Sequence, residues 1–71
     1  MKTELIKIDR EELHPSVRIM YRKEIVVSCL LERRPMLSGV HWTPVYHVLV
    51  QGTHKFDSWE FDPEQHTWVK V

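Results

Sequence analysis

The sequence is poor in the residues that staple or punctuate small proteins. It has one cysteine, Cys29, and two glycines, Gly39 and Gly52, and its ten Lys+Arg are balanced by ten Asp+Glu. A lone cysteine excludes an internal disulfide and a four-cysteine zinc site. Small secreted domains usually carry several bridges, so a reducing compartment, the cytoplasm, is expected. Two isolated glycines cannot build a glycine-rich phosphate loop. Zero net charge excludes a basic nucleic-acid tail and an acidic tail. The N-terminal MKTELIKIDREEL is charged throughout and lacks the apolar run of a signal peptide. The longest stretch free of Asp, Glu, Lys and Arg, Pro35 to His54, contains two prolines, two glycines and three histidines. It is not a membrane span.

What is present is ordinary globular material: 42% hydrophobic and 28% charged over 71 residues, which argues for one folded domain, 1–71. A domain this short buries only about 60% of its unfolded surface. Lys2 to Ile8 reads as a strand. Asp9 and Glu12 have capping-box spacing, which predicts one helical turn over Arg10 to His14, ended by Pro15. From Val17 to Glu32 seven of eight odd positions are apolar, against three of eight even ones. That period of two predicts β structure, bent or turned at Arg22–Lys23 and continuing as a central strand from Ile25 to Arg33. Arg34 to Pro44 reads as a loop. Strands follow over Val45 to Gln51, Lys55 to Phe61 and Thr67 to Val71, joined by turns at Gly52–Thr53 and Asp62–Gln65. The expected fold is mainly β, a small antiparallel barrel or curved sheet of about five to six strands with one short helical turn near the N-terminus.

Candidate chemistry is sparse. The five histidines, His14, His41, His47, His54 and His66, include no chelating pair, although His47 and His54 flank one turn; no metal or cofactor is expected. Cys29 sits in an apolar run, where a thiol is buried and inert. No serine has a nucleophile elbow around it. Asp57 and Glu60 differ in parity and should point to opposite sheet faces. No catalytic residues are assigned, and the chain does not read as an enzyme.

Two stretches resemble known sequences. SWEFDPEQHTWVKV, Ser58 to Val71, is similar to the hairpin of a single kelch repeat, with Trp59 and Trp68 placed to pack across it; one such hairpin cannot form a propeller. VVSCLLERRPMLSGVHWTPVYHVLV, Val26 to Val50, resembles a bacterial family encoded beside formate dehydrogenases, through Glu32, Arg33, Arg34, Trp42, Pro44 and Val45. That resemblance implies an accessory role beside a larger enzyme and supplies no catalytic residues.

The functional lead is the uncharged Pro35–Pro44 segment. Met36, Leu37, Val40 and Trp42 are interface-type side chains in a loop, with Arg33 and Arg34 expected as a polar rim. The reading is a non-enzymatic protein-binding domain, an adaptor, accessory subunit or phage-type inhibitor of a larger enzyme. The alternative is a small-barrel binder of single-stranded nucleic acid, using Arg18, Arg22 and Arg34 on one even-numbered strand face. No membrane partner is expected. Self-association fits a domain of this size.

Overall fold

The computed structural model describes residues 2–37, 39 and 41–71. Its elements are β1 (Glu4–Ile8), α1 (Pro15–Arg18), β2 (Val26–Pro35), β3 (Trp42–Val50), β4 (Phe56–Asp62) and β5 (Thr67–Lys70). Short 3₁₀ turns cover Arg10–Glu12 and Lys23–Ile25. The five strands form one sheet in sequence order, every neighbouring pair antiparallel. The fold is therefore mainly β, as expected. It is an open five-stranded sheet with β1 and β5 as its edges, not a barrel.

Directly opposed residues share a face, so the register separates two surfaces. Ile8, Cys29, Val48 and Asp57 line one rung of the inner face. Leu13, Val17 and Tyr21 lie over that face and join Cys29, Val48 and Trp59 in one buried cluster. Ile8, Val26, Tyr46, Val50 and Trp68 pack around it. Cys29 is buried, as its place in the apolar series requires, and burial pushes its thiol pKa up.

The segment before β2 departs from expectation. Val17 to Tyr21 is not a strand: α1 begins at Pro15 and the chain turns through Met20. Pro15 does stop the preceding turn, but proline is also favoured at a helix's first position, where no N–H partner is needed. His14 caps it, its Nδ1 accepting the backbone N–H of Ser16 at 3.2 Å. The buried residues follow the spacing Leu13, Val17, Tyr21, four apart, which one face of a helical path brings together. The same residues have odd numbers, so they imitated a strand pattern. Arg10 then pins the end of this path, its guanidinium donating to the Tyr21 carbonyl at 2.6 Å and to that of Arg18 at 3.3 Å.

Two further differences concern β2 and β3. A bulge between Val26 and Ser28 shifts the register, so Val26 and Cys29 both face inward and Val27 is exposed. The expected Arg34–Pro44 loop is shorter, because Arg33, Arg34 and Pro35 pair with Pro44, Thr43 and Trp42. Pairing with β1 ends at Arg33, and pairing with β4 begins at Val45. Pro35 and Pro44 thus lie where one side of each strand has no ladder partner, the position a proline tolerates. The reversal at the tip is closed by Met36 N–H donating to the His41 carbonyl at 2.9 Å, with Gly39 at φ +73°. The β4–β5 turn is held by Asp62, whose Oδ1 accepts from the Glu64 and Gln65 N–H groups at 2.9 and 3.4 Å.

Candidate functional site

The β2–β3 hairpin carries the apolar residues singled out from sequence. Leu37 is fully exposed at its tip, Met36 is about half exposed and Trp42 is 38% exposed. Val40 lies outside the described residues. These side chains are not a plug: the buried cluster forms elsewhere, over Cys29 and Val48. Beside the hairpin an apolar hollow of about 400 Å³ is lined by Met36, Trp42, Thr43, Pro44, Phe61 and Pro63. Continuing the β3–β4 register from Val45 opposite Glu60 places Pro44 level with Phe61 and Trp42 level with Pro63. Alternation along the two strands therefore lays a Trp–Pro and Phe–Pro strip on the inner face, beyond the reach of α1. Its inner end is closed by aromatic contact: Trp68 stacks on Tyr46 at 4.7 Å and meets Phe61 edge-on at 5.7 Å. Trp68 stands opposite Phe61 rather than Trp59, so the expected Trp59–Trp68 packing is replaced by these contacts. Trp59 instead packs edge-on against Tyr21 at 6.3 Å.

The two rim arginines separate. Successive strand residues point to opposite faces, so Arg33 lies on the inner face near Glu4, at 3.8 Å, and Arg34 on the outer face. The proposed nucleic-acid trio separates too. Arg18 is in α1, donating to the Glu11 carbonyl at 3.1 Å, and Arg22 pairs with Glu24 at 3.2 Å. Arg34 is held between Glu32 and Glu60. No common strand face joins them, because Arg18 and Arg22 are not on a strand. Asp57 and Glu60 do point to opposite faces, as parity predicts.

The outer face holds an arrangement that the sequence did not disclose. His47 Nε2 lies 2.7 Å from Glu32 Oε1, and His47 Nδ1 lies 2.7 Å from Ser58 Oγ. A carboxylate only accepts, which assigns the hydrogen to Nε2 and leaves Nδ1 to accept from the serine in the neutral ring. Arg34 completes the chain, bonded to Glu32 and to Glu60 Oε1 at 3.1 Å. Hydrogen bonding from Arg34, and less so from His47, holds the Glu32 carboxyl below its ordinary pKa. The signal was cross-strand register: Leu30, His47 and Ser58 share a rung, and Glu32, Val45 and Glu60 the next. Serine, histidine and glutamate in sequence is the logic of an activated nucleophile. Acyl transfer also needs N–H donors aimed at a developing oxyanion. Around Ser58 the strand N–H groups lie in the sheet plane, directed at neighbouring strands. What the chain of bonds does directly is tie β2 to β4 across β3. Val45 beneath it is fully buried although outside the main core.

A second polar chain lies on the inner face. Trp59 Nε1–H donates to Tyr21 Oη at 2.7 Å, and Tyr21 donates to Asp57 Oδ2 at 2.9 Å. Lys70 Nζ stands 3.5 Å from the other Asp57 oxygen. Burial, reinforced by the neighbouring Asp57 carboxylate, pushes the Tyr21 phenol up to about 12.

Among the described residues, no group of three His, Cys, Asp or Glu side chains is placed to hold a metal ion. No described helix is long and apolar enough to cross a membrane. Compared with known proteins, the chain matches no family model, no curated protein and no solved structure.

Proposed function

We propose that the protein is a non-enzymatic protein-binding domain, an adaptor, accessory subunit or inhibitor that engages a larger protein through its β2–β3 hairpin. One observation carries this reading: Leu37, Met36 and Trp42 are held in solvent beside an apolar hollow, at the end of the sheet that α1 leaves uncovered. Exposed apolar groups gathered in this way are costly for solubility and mark interaction sites. A Trp at the mouth of an apolar hollow is the type of residue that anchors an interface. The resemblance of Val26 to Val50 to proteins encoded beside formate dehydrogenases agrees with an accessory role. Nucleic-acid binding is the weaker reading, since Arg18, Arg22 and Arg34 are dispersed and engaged with their own chain.

The test pairs binding with stability on one sample. Trp42→Ala should retain a cooperative melt close to the parent's. Its capture of a defined protein from a nuclease-treated bacterial lysate should fall on the order of thirtyfold or more, the usual effect of truncating an anchoring Trp. A Trp42→Ala protein that folds and still captures the same partner would place the interface elsewhere. Captured material that disappears with nuclease would support the nucleic-acid reading.

A further inference from the structure

We infer that the cavity between the end of the helical path and the β3–β4–β5 side of the sheet binds a free α-amino acid with an aliphatic side chain, its ammonium against Asp57 and its carboxylate against Lys70. This site is separate from the hairpin: it lies at the Val50 end of β3, and the hairpin at the Trp42 end.

The cavity has a volume of about 480 Å³, within the usual range of small-molecule sites. Its apolar walls are Met20, Ile25, Val50 and Trp59, brought together from distant parts of the chain. Backbone ties fix these walls in place. Gln51 N–H donates to the Ile25 carbonyl at 2.7 Å, and Arg10 holds the Tyr21 carbonyl at 2.6 Å, next to Met20. The shape is therefore set by the chain itself, as is usual for such sites. Met20 is 60% exposed and the Lys70 side chain stands partly in solvent, so a ligand enters without unfolding of the core.

The charges select the ligand. Among the described lining residues Asp57 is the one anion and Lys70 the one cation. The chain of bonds from Trp59 through Tyr21 engages Asp57 Oδ2. It fixes the carboxylate with its other oxygen toward Lys70. The Lys70 Nζ stands 3.5 Å from that oxygen, beyond the roughly 2.7–2.9 Å of a direct charge-assisted hydrogen bond. Each of the two charges thus has room for a further partner. The site as a whole is neutral and dipolar, which matches a zwitterion.

An amino acid carries its ammonium and carboxylate on one carbon, with nitrogen and carboxyl carbon about 2.5 Å apart. Laid beside the Asp57–Lys70 pair in the opposite sense, it sets each of its charges against the opposite one, so the four charges alternate. A lone amine would add a second cation beside Lys70, and a lone acid a second anion beside Asp57. Like-charge contacts of this kind reject the wrong ligand. The Met20, Ile25 and Val50 wall offers no hydrogen-bond donor to a polar side chain, whose burial there would be costly. An aliphatic side chain is the one this wall accepts.

The experiment is a nitrogen-15 NMR titration of the full chain with L-leucine up to about 50 mM, above the millimolar Kd expected of so small a ligand. Saturable shifts should appear at Tyr21, Ile25, Val50 and the Trp59 indole N–H, while the Trp42 indole signal stays in place. Two parallel titrations use 4-methylpentanoate, which lacks the ammonium, and 3-methylbutylamine, which lacks the carboxylate. Each should bind about tenfold or more weakly than leucine, because one charge of the pair is left without its counterpart. Lys70→Gln and Asp57→Asn, each checked for a parental spectrum, should weaken leucine to a similar degree. No saturable shift overturns the inference. So do equal affinities for leucine and either half-ligand, shifts centred on the hairpin, or a folded Lys70→Gln that binds leucine like the parent. The ligand series on the parent decides the matter even if both variants misfold.

Discussion

The two faces of one sheet are held by different physics. On the inner face Cys29, Val48 and Trp59 are shielded from water by Leu13, Val17 and Tyr21, and burial is the dominant force. On the outer face Val45 is sealed by a chain of hydrogen bonds from Ser58 through His47, Glu32 and Arg34 to Glu60. Burial is proportional to area and tolerant of geometry, whereas the outer chain works only in one register. A one-residue slip of β3 would remove His47 from both Glu32 and Ser58. The comparison teaches that a small open sheet can specify its strand alignment on the face that contributes least to its core.

The sharpest way to break this comparison is Trp59→Ala. It deletes a buried aromatic and the N–H that satisfies Tyr21. A loss of about 3–5 kcal/mol is expected, enough to abolish cooperative unfolding in a domain whose whole stability is only of that order. A thermal melt followed by near-ultraviolet circular dichroism checks it.

Alkaline titration comes next. Tyr21 favours its neutral form when folded, so its stabilising contribution is fully present below the ordinary phenol value near 10. It is lost as pH rises through about 12. Tyr46 is raised as well, chiefly by burial. Tyrosinate absorbance near 295 nm should therefore emerge together with unfolding. Independent titration of both phenols at pH 10 in a folded protein would contradict the inner polar chain.

His47→Ala probes the outer face. It removes two hydrogen bonds and should lower stability by about 1–2 kcal/mol, less than Trp59→Ala, without unfolding the domain. The acid limb adds a sign. Glu32 is depressed, so its contribution is present above the ordinary carboxyl value and is lost as pH falls through the folded one. Arg34 is the larger cause, so Arg34→Gln should flatten this acid-labile component more than His47→Ala does. Urea melts at pH 3 and pH 6 measure both.

The smallest expected effect sharpens the contrast within β2. Val27→Thr, at the exposed bulge, should change stability by under about 0.5 kcal/mol. Val48→Thr, which buries a hydroxyl in the core, should cost about 1–3 kcal/mol.

The fold was legible in the sequence where strands alternate cleanly and turns carry their own chemistry. Phe56–Asp62, the Asp62–Pro63 turn and Thr67–Lys70 follow the reading closely. It failed at Val17–Tyr21, because residues four apart on a helical path have equal parity and mimic a strand. It also failed at Val27, which the bulge leaves exposed while Val26 takes the inward place; from Cys29 onward the odd positions face inward as read. Of the candidate site, the exposure of Met36, Leu37 and Trp42 matched their composition. The separation of Arg33 from Arg34 follows from parity once Arg34 is known to lie in a strand, and the prolines had argued against that. The Glu32–His47–Ser58 alignment was illegible, since it depends on the pairing offsets of three strands.

The order of the strands also bears on how the chain reaches this state. Each strand lies beside its neighbour in sequence, and β2 to β5 form three successive hairpins with tight reversals. Loop closure is therefore short at every step except one, the return of β1 across residues 9–25 onto β2. Short closures favour rapid folding. The β2–β5 meander is the part that can assemble first, with β1 and the segment bearing Leu13, Val17 and Tyr21 docking onto it afterwards. In the native ensemble the sequence of events runs backwards: the N-terminal third is the unit whose amides should exchange with solvent earliest, ahead of those in β3.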